Sequence, residues 1–120
     1  SLVGSEMCIR DRICTKLRML VQETGITLFM VSHLKRPDGK GHEEGAASSL
    51  SQLRGSASIA QLSDMVIGLE RNGQAEDLIE RNTTNVRVLK NRFCGTTGPA
   101  GGLLFDQKTG RMVEVKEEGL

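Results

Sequence analysis

Apolar residues along the chain fall into short runs, and the spacing within each run predicts a different element. In ICTKLRMLVQET (13–24), Ile13, Leu17, Leu20, Val21 and Thr24 share a helical stripe, and Gly25 stands where a helix C-cap belongs. ITLFMVS (26–32) shows no alternation and is apolar on both faces, the pattern of a central strand in a parallel sheet. Helix, glycine and buried strand together make the second half of a βαβ unit. QLRGSASIAQLSD (52–64) predicts a short helix with Leu53, Ile59 and Leu62 inward, and MVIGLE (65–70) a second buried strand. VRVLKNRF (86–93) is rich in β-formers. Alternation at period two puts Val86, Val88, Lys90 and Arg92 on one face, apolar at its start and cationic at its end. GTTGPAGG is turn chemistry, and GGLLFD with RMVEV, separated by QKTG, predicts a closing hairpin.

Two polar stretches separate these runs. LKRPDGKGHEEGAASSLS (34–51) has no apolar period and predicts a long surface loop, of a length that is usually functional or disordered. RNGQAEDLIERNTTN (71–85) predicts an exposed connection. No internal repeat is visible. The expected fold class is α/β, with a mostly parallel sheet and a C-terminal β-hairpin.

Composition narrows the function. Charged residues make up 26% of the 120 positions and the net charge is +1, without the basic excess of a freestanding nucleic-acid module. Contact with DNA would have to come from a local patch or from several copies together. Three Phe, with no Tyr or Trp, argue against a base-stacking platform. No apolar run reaches the roughly 20 residues that span a bilayer, and no secretory h-region is seen, so no membrane partner and a cytoplasmic location are expected. Three cysteines without CxxC or Cys/His ligand spacing predict reduced thiols and no metal site. Cys14 and Cys94 are expected to be buried small hydrophobes. His42, Glu43 and Glu44 belong to the polar loop and are read as solvated.

SLVGSEMCIRDR (1–12) resembles the translation of one frame of a transposon-type sequencing adapter, and is set apart from the fold on that ground. Without it the balance is 14 cationic against 13 anionic side chains, still +1. The expected division is therefore 1–12 adapter-derived, 13–115 the domain portion and 116–120 a tail, with the true polypeptide continuing upstream.

Three side chains stand out for chemistry. His33 closes the strand predicted at 26–32, where ligands of parallel α/β sheets bind. A lone histidine is more often structural, but an imidazole there can donate to a phosphate oxygen. Lys90 and Arg92 end the strand predicted at 86–93. They either form a solvated basic edge that discourages aggregation or reach toward a phosphate, for which the guanidinium fork is suited. No GxxxxGK[ST] phosphate loop occurs in the 120 residues, so the chain alone is expected not to hydrolyse a nucleotide.

SHLKRPDGKGHEEG, LRGSASIAQLSDMVIGLERN, VLKNRFCGTTGPAG and FDQKTG resemble, in order, the C-terminal motifs of ring-shaped replicative DNA helicases. The similarity is to the phage primase-helicase type within the DnaB-like branch of RecA-fold motor ATPases, and spans about residues 13–115. It implies an incomplete RecA-like motor domain. It further implies that His33 senses a γ-phosphate, that Gln61 touches the γ-phosphate of its own subunit, and that Arg92 is an arginine finger for the neighbouring subunit, with Lys90 beside it. Arg71 and Phe105 match positions that sandwich the nucleotide base. Lys35, Lys40, Arg54 and Gly55 belong to a loop that grips single-stranded DNA. Ala60 and Phe105 depart from residues common in relatives, a basic residue and a tyrosine. The nucleotide implied is ATP or dTTP with Mg²⁺, held mainly by residues outside this chain, and the assembly implied is a homo-oligomeric ring, with six the expected number. Two other readings stay open from the residues alone, a RecA-type recombinase core and a non-enzymatic module that docks on DNA or a partner.

Overall fold

The computed structural model describes residues 2–33 and 57–115. A long helix, α1 (Leu2–Thr24), is followed by an irregular segment, 25–33. Then come α2 (Ala57–Leu62), β1 (Met65–Glu70), α3 (Leu78–Asn82), β2 (Thr83–Asn91), β3 (Gly98–Asp106) and β4 (Arg111–Val115).

The α1 helix ends as its glycine predicts. Gly25 takes φ +71°, and its N–H donates to the Val21 carbonyl at 2.8 Å, closing the last turn. At its other end the helix runs unbroken through residues 2–12, which contain no proline, and adding residues to an existing helix costs little. The inward stripe is rotated one position from expectation. Cys14 is buried, with Leu17, Arg18 and Val21 partly covered, while Ile13 and Leu20 are half exposed.

The sheet corrects the largest expectation. Its order is β1-β2-β3-β4 and every pairing is antiparallel, not mostly parallel. Connection length explains this. β2 to β3 is joined by residues 92–97 and β3 to β4 by 107–110, lengths that can only reverse the chain, whereas parallel neighbours need a crossover of a dozen residues or more, usually a helix. Between β1 and β2 the link carries only the five-residue α3, capped by Asp77 accepting from the Ile79 N–H. ITLFMVS forms no strand. Phe29 and Val31 are about 90% exposed, because among the described residues no strand lies beside them.

MVIGLE is a strand, and among the described residues it lies at the edge of the sheet. Only Gly68 and Glu70 are buried in it, and Met65, Ile67 and Leu69 point outward. Paired residues of an antiparallel ladder share a face. Met65, Ile67 and Leu69 therefore share theirs with Val88 and Val86, and the sheet leaves one apolar face open. The expected closing hairpin is present, with Leu103↔Glu114 and Phe105↔Met112 in register. Part of the predicted turn, Gly98 to Gly101, belongs instead to β3, where Pro99 is tolerated because β4 pairs only from Gly102 onward.

Candidate functional site

The end of α2, the start of β1 and the end of β2 converge, and they do so because of one irregularity. Val66 pairs with Lys90 but Ile67 pairs with Val88, so Leu89 is an extra residue in β2. This bulge overturns the single-face reading of Val86, Val88, Lys90 and Arg92. Val88 follows Ile67 to the open face, while Lys90 follows Val66 to the face that α2 covers.

There the cations meet the carbonyls that a helix end leaves without partners. Lys90 Nζ donates to the Ala60 carbonyl at 2.6 Å and to the Gln61 carbonyl at 3.1 Å. Arg92 Nη2 donates to the same Gln61 carbonyl at 2.9 Å, and its Nη1 to Asp64 Oδ1 at 2.9 Å. The Arg92 backbone N–H donates to the Asp64 carbonyl, also at 2.9 Å. Across the carboxylate, Arg18 Nη1 from α1 donates to Asp64 Oδ2 at 2.7 Å. One carboxylate thus joins α1 to the strand tip. The hydrogen bond from Arg18, with the charges of Arg18, Arg92 and Lys90, holds the Asp64 carboxyl below its ordinary 3.8 against the opposing effect of desolvation.

Beyond Arg92 the chain turns sharply. Asn91 Oδ1 accepts from the N–H groups of Phe93 (3.1 Å) and Cys94 (3.4 Å), and Gly95, at φ +75°, donates to the Asn91 carbonyl at 2.8 Å. Phe93 is left 76% exposed at the tip. Cys94 is exposed rather than buried, since the turn carries it away from the sheet. Hydrogen bonds from the backbone and side chain of Thr96, and from Asn91 Nδ2 at 3.0 Å, lower its thiol pKa from the ordinary 9.0. Cys14 is buried as expected, and burial, then the Asp11 charge, push its thiol up.

His33 lines a cavity of about 320 Å³ between α1, α2 and the segment 30–33, together with Arg10, Ile13, Cys14, Ser32 and Ile59. Ile59 and Gln61 are two residues apart in α2, about 200° around the helix, so the cavity and the exposed Gln61 side chain lie on nearly opposite faces. α2 thus carries Gln61 and holds Lys90 and Arg92 through its terminal carbonyls, while His33 lines the cavity on its other side. Arg71 and Phe105, both exposed, belong to the opposite end of the sheet. Antiparallel register brings the end of β1 and the end of β3 to one side, about 20 Å along the strands from Arg92. Lys35, Lys40, Arg54 and Gly55 lie outside the described residues.

Asp64, which ties this cluster together, is not among the candidates read from the sequence. The signal was available, since a carboxylate one residue before β1 and an arginine one residue after β2 face each other as soon as the two strands are antiparallel.

A family model described as "DnaB-like helicase C terminal domain" matches residues 9–114, the span that carries every element of this site except the first third of α1. The chain belongs to that family. Its fold class is accordingly the RecA-like α/β class, of which the described residues display an antiparallel portion. The chain is also 48% identical over 101 residues to the DNA helicase/primase of Enterobacteria phage T3, a match covering 83% of this chain and 17% of that protein. The DnaB-like match begins at Ile9, inside the segment that resembles an adapter, and Asp11 of that segment accepts a hydrogen bond from Ser58 of α2 at 2.8 Å.

Proposed function

We propose that this chain is the C-terminal portion of the motor domain of a ring-shaped replicative DNA helicase, which couples nucleoside triphosphate hydrolysis to translocation on single-stranded DNA and to strand separation. The observation that carries the reading is the 48% identity to a phage DNA helicase/primase across a segment in which α2 and two cations form one cluster. That relative's printed name favours the helicase over a recombinase.

In this reading Arg92 is supplied to the nucleotide of the neighbouring subunit. A guanidinium has five N–H donors, and the bonds to Asp64 and the Gln61 carbonyl use two. Three remain for phosphate oxygens and for the charge that develops as the phosphoryl group leaves. Lys90, held on α2, adds positive potential beside it. Gln61 and His33 contact the γ-phosphate of their own subunit, and Arg71 and Phe105 flank the base. Lys35, Lys40, Arg54 and Gly55 hold DNA phosphates in the shared channel, without base readout, as suits a motor moving over any sequence.

ATP or dTTP is the nucleotide we assign. In this reading Arg71 and Phe105 serve its base, Gln61 and His33 serve its terminal phosphate, and the 120 residues contain no GxxxxGK[ST] phosphate cradle. The Mg²⁺ ion, which neutralises charge on the phosphates when bound, and the phosphate loop are therefore assigned to the rest of the protein. The ring has heterologous interfaces that close on themselves, six subunits being the expected number. No helix among the described residues is long and apolar enough to cross a membrane. For a phage-encoded helicase the location we assign is the cytoplasm of the bacterial host cell.

The test is Arg92→Ala in the full-length protein that carries this segment. Turnover falls by a factor on the order of 10³–10⁵ while nucleotide binding holds. Normal turnover per bound nucleotide contradicts the finger role.

A further inference from the structure

We infer that Asp64 is a positioning residue for Arg92, setting the direction in which the guanidinium leaves the sheet and tying it to the backbone of Gln61. The inference rests on the proposed finger role of Arg92 and adds the device that aims it. Three observations carry it. First, Asp64 engages Arg92 twice, through its carbonyl to the Arg92 N–H and through Oδ1 to Nη1, both at 2.9 Å, so root and tip of a long side chain are held by one residue. Second, Arg18 occupies Oδ2 at 2.7 Å and anchors the carboxylate to α1, which leaves Oδ1 for Arg92. Third, the remaining contact of the guanidinium is the Gln61 carbonyl at 2.9 Å, so the residue serving the neighbour's phosphate is bonded to the main chain of the residue serving its own.

The physical consequence is preorganisation. A flexible arginine whose rotamers are fixed before the transition state forms loses less freedom there, and misplacing such a group by about 1 Å can cost roughly a hundredfold in rate. Because three donors stay free, aiming the fork does not require Asp64 to release it. The bond to Gln61 also gives a route between sites. A shift of α2 when the subunit's own γ-phosphate departs moves the acceptor that holds the finger.

The experiment compares Asp64→Asn with Arg87→Ala, which breaks the separate Arg87–Glu70 pair of the β1–β2 ladder, in the full-length protein, with single-stranded DNA and whichever of ATP or dTTP it turns over. Ring assembly is checked by sedimentation. The expected result is a kcat at least tenfold lower for Asp64→Asn with KM within twofold of wild type. For Arg87→Ala, kcat stays within threefold although the melting temperature drops. Equal loss of kcat in both variants makes the effect of Asp64→Asn a general loss of sheet stability and overturns the inference. An unchanged or raised kcat in Asp64→Asn overturns it too. If Asp64→Asn does not assemble, Asp64→Glu decides. It keeps the charge and displaces Arg92 by one methylene, so kcat falls tenfold with KM unchanged, and an unaltered kcat refutes the aim. Arg92→Ala separates the two levels. If it retains wild-type kcat the finger reading itself fails, whereas its collapse beside a silent Asp64→Asn removes only the role of Asp64.

Discussion

Arg87 is the position at which the sheet can be tested by a single change. Its Nε donates to Glu70 Oε1 at 2.7 Å, across the β1–β2 ladder, with the Glu70 side chain 6% exposed and that of Arg87 30% exposed. Replacing Arg87 with alanine removes one charged hydrogen-bond donor from a buried carboxylate. Breaking a fully buried pair from one side costs about 3–5 kcal/mol, and a hydrogen bond to a charged group about 1.5–3. Water already reaches the Arg87 end, so the expected cost is about 2–3 kcal/mol, below the first range and in the upper part of the second. The reverse change is milder. Glu70→Gln leaves an arginine that water can solvate, and costs about 1 kcal/mol. Amide hydrogen exchange of peptides covering 65–70 and 83–91 reads the opening locally, and 2–3 kcal/mol corresponds to exchange about 30- to 150-fold faster in Arg87→Ala. The double variant, having no buried carboxylate at position 70, is less destabilised than Arg87→Ala alone. The effect also resists salt, because burial limits screening. Exchange accelerated less than threefold in Arg87→Ala, or equal loss in the two single variants, refutes the reasoning.

Three other outcomes follow from the same geometry. The Asp64 carboxyl titrates below its ordinary 3.8, so the stability it contributes is present above that pH and is lost as pH falls through its lowered native value. Asp64→Asn accordingly flattens the acid limb of a melting-temperature profile below about pH 4, and an unchanged limb denies the pairing. Iodoacetamide at neutral pH alkylates Cys94 several-fold faster than Cys14, since one thiol is exposed with a lowered pKa and the other buried with a raised one. Peptide mapping showing equal rates contradicts the turn at 91–95. In the full-length protein, Arg54→Ala weakens single-stranded DNA binding and reduces the slope of log affinity against log salt by roughly 0.7. An identical slope removes Arg54 from the channel.

Much of the local structure was readable in the residues. Gly25 marked the end of α1, the β-formers at 86–93 marked most of β2, and QKTG between two apolar runs marked the β3–β4 turn, because each depends on backbone preferences within a few positions. Strand direction was not readable, since apolar MVIGLE is equally compatible with a parallel centre and an antiparallel edge, and only the connections decide. The same limit hid the site. Alternation placed Lys90 and Arg92 with Val86 and Val88 until the bulge at Leu89 turned them onto α2, and a bulge leaves no mark in composition. Cys94 looked like a small core residue because its environment is made by Asn91 and Thr96 folding the chain back, not by hydropathy. The motifs at His33, Gln61 and Arg92 were found by resemblance, and the DnaB-like match covers all three.

The central claim is that the cationic tip built here completes a catalytic pocket on another subunit. Turnover measured against the state of assembly tests it most directly. The full-length protein is diluted through its ring-to-monomer transition with nucleotide and single-stranded DNA present, sedimentation and phosphate release being followed in parallel. Hydrolysis per subunit that disappears as rings dissociate is the predicted result. A monomer that hydrolyses nucleotide as fast as the ring contradicts the account.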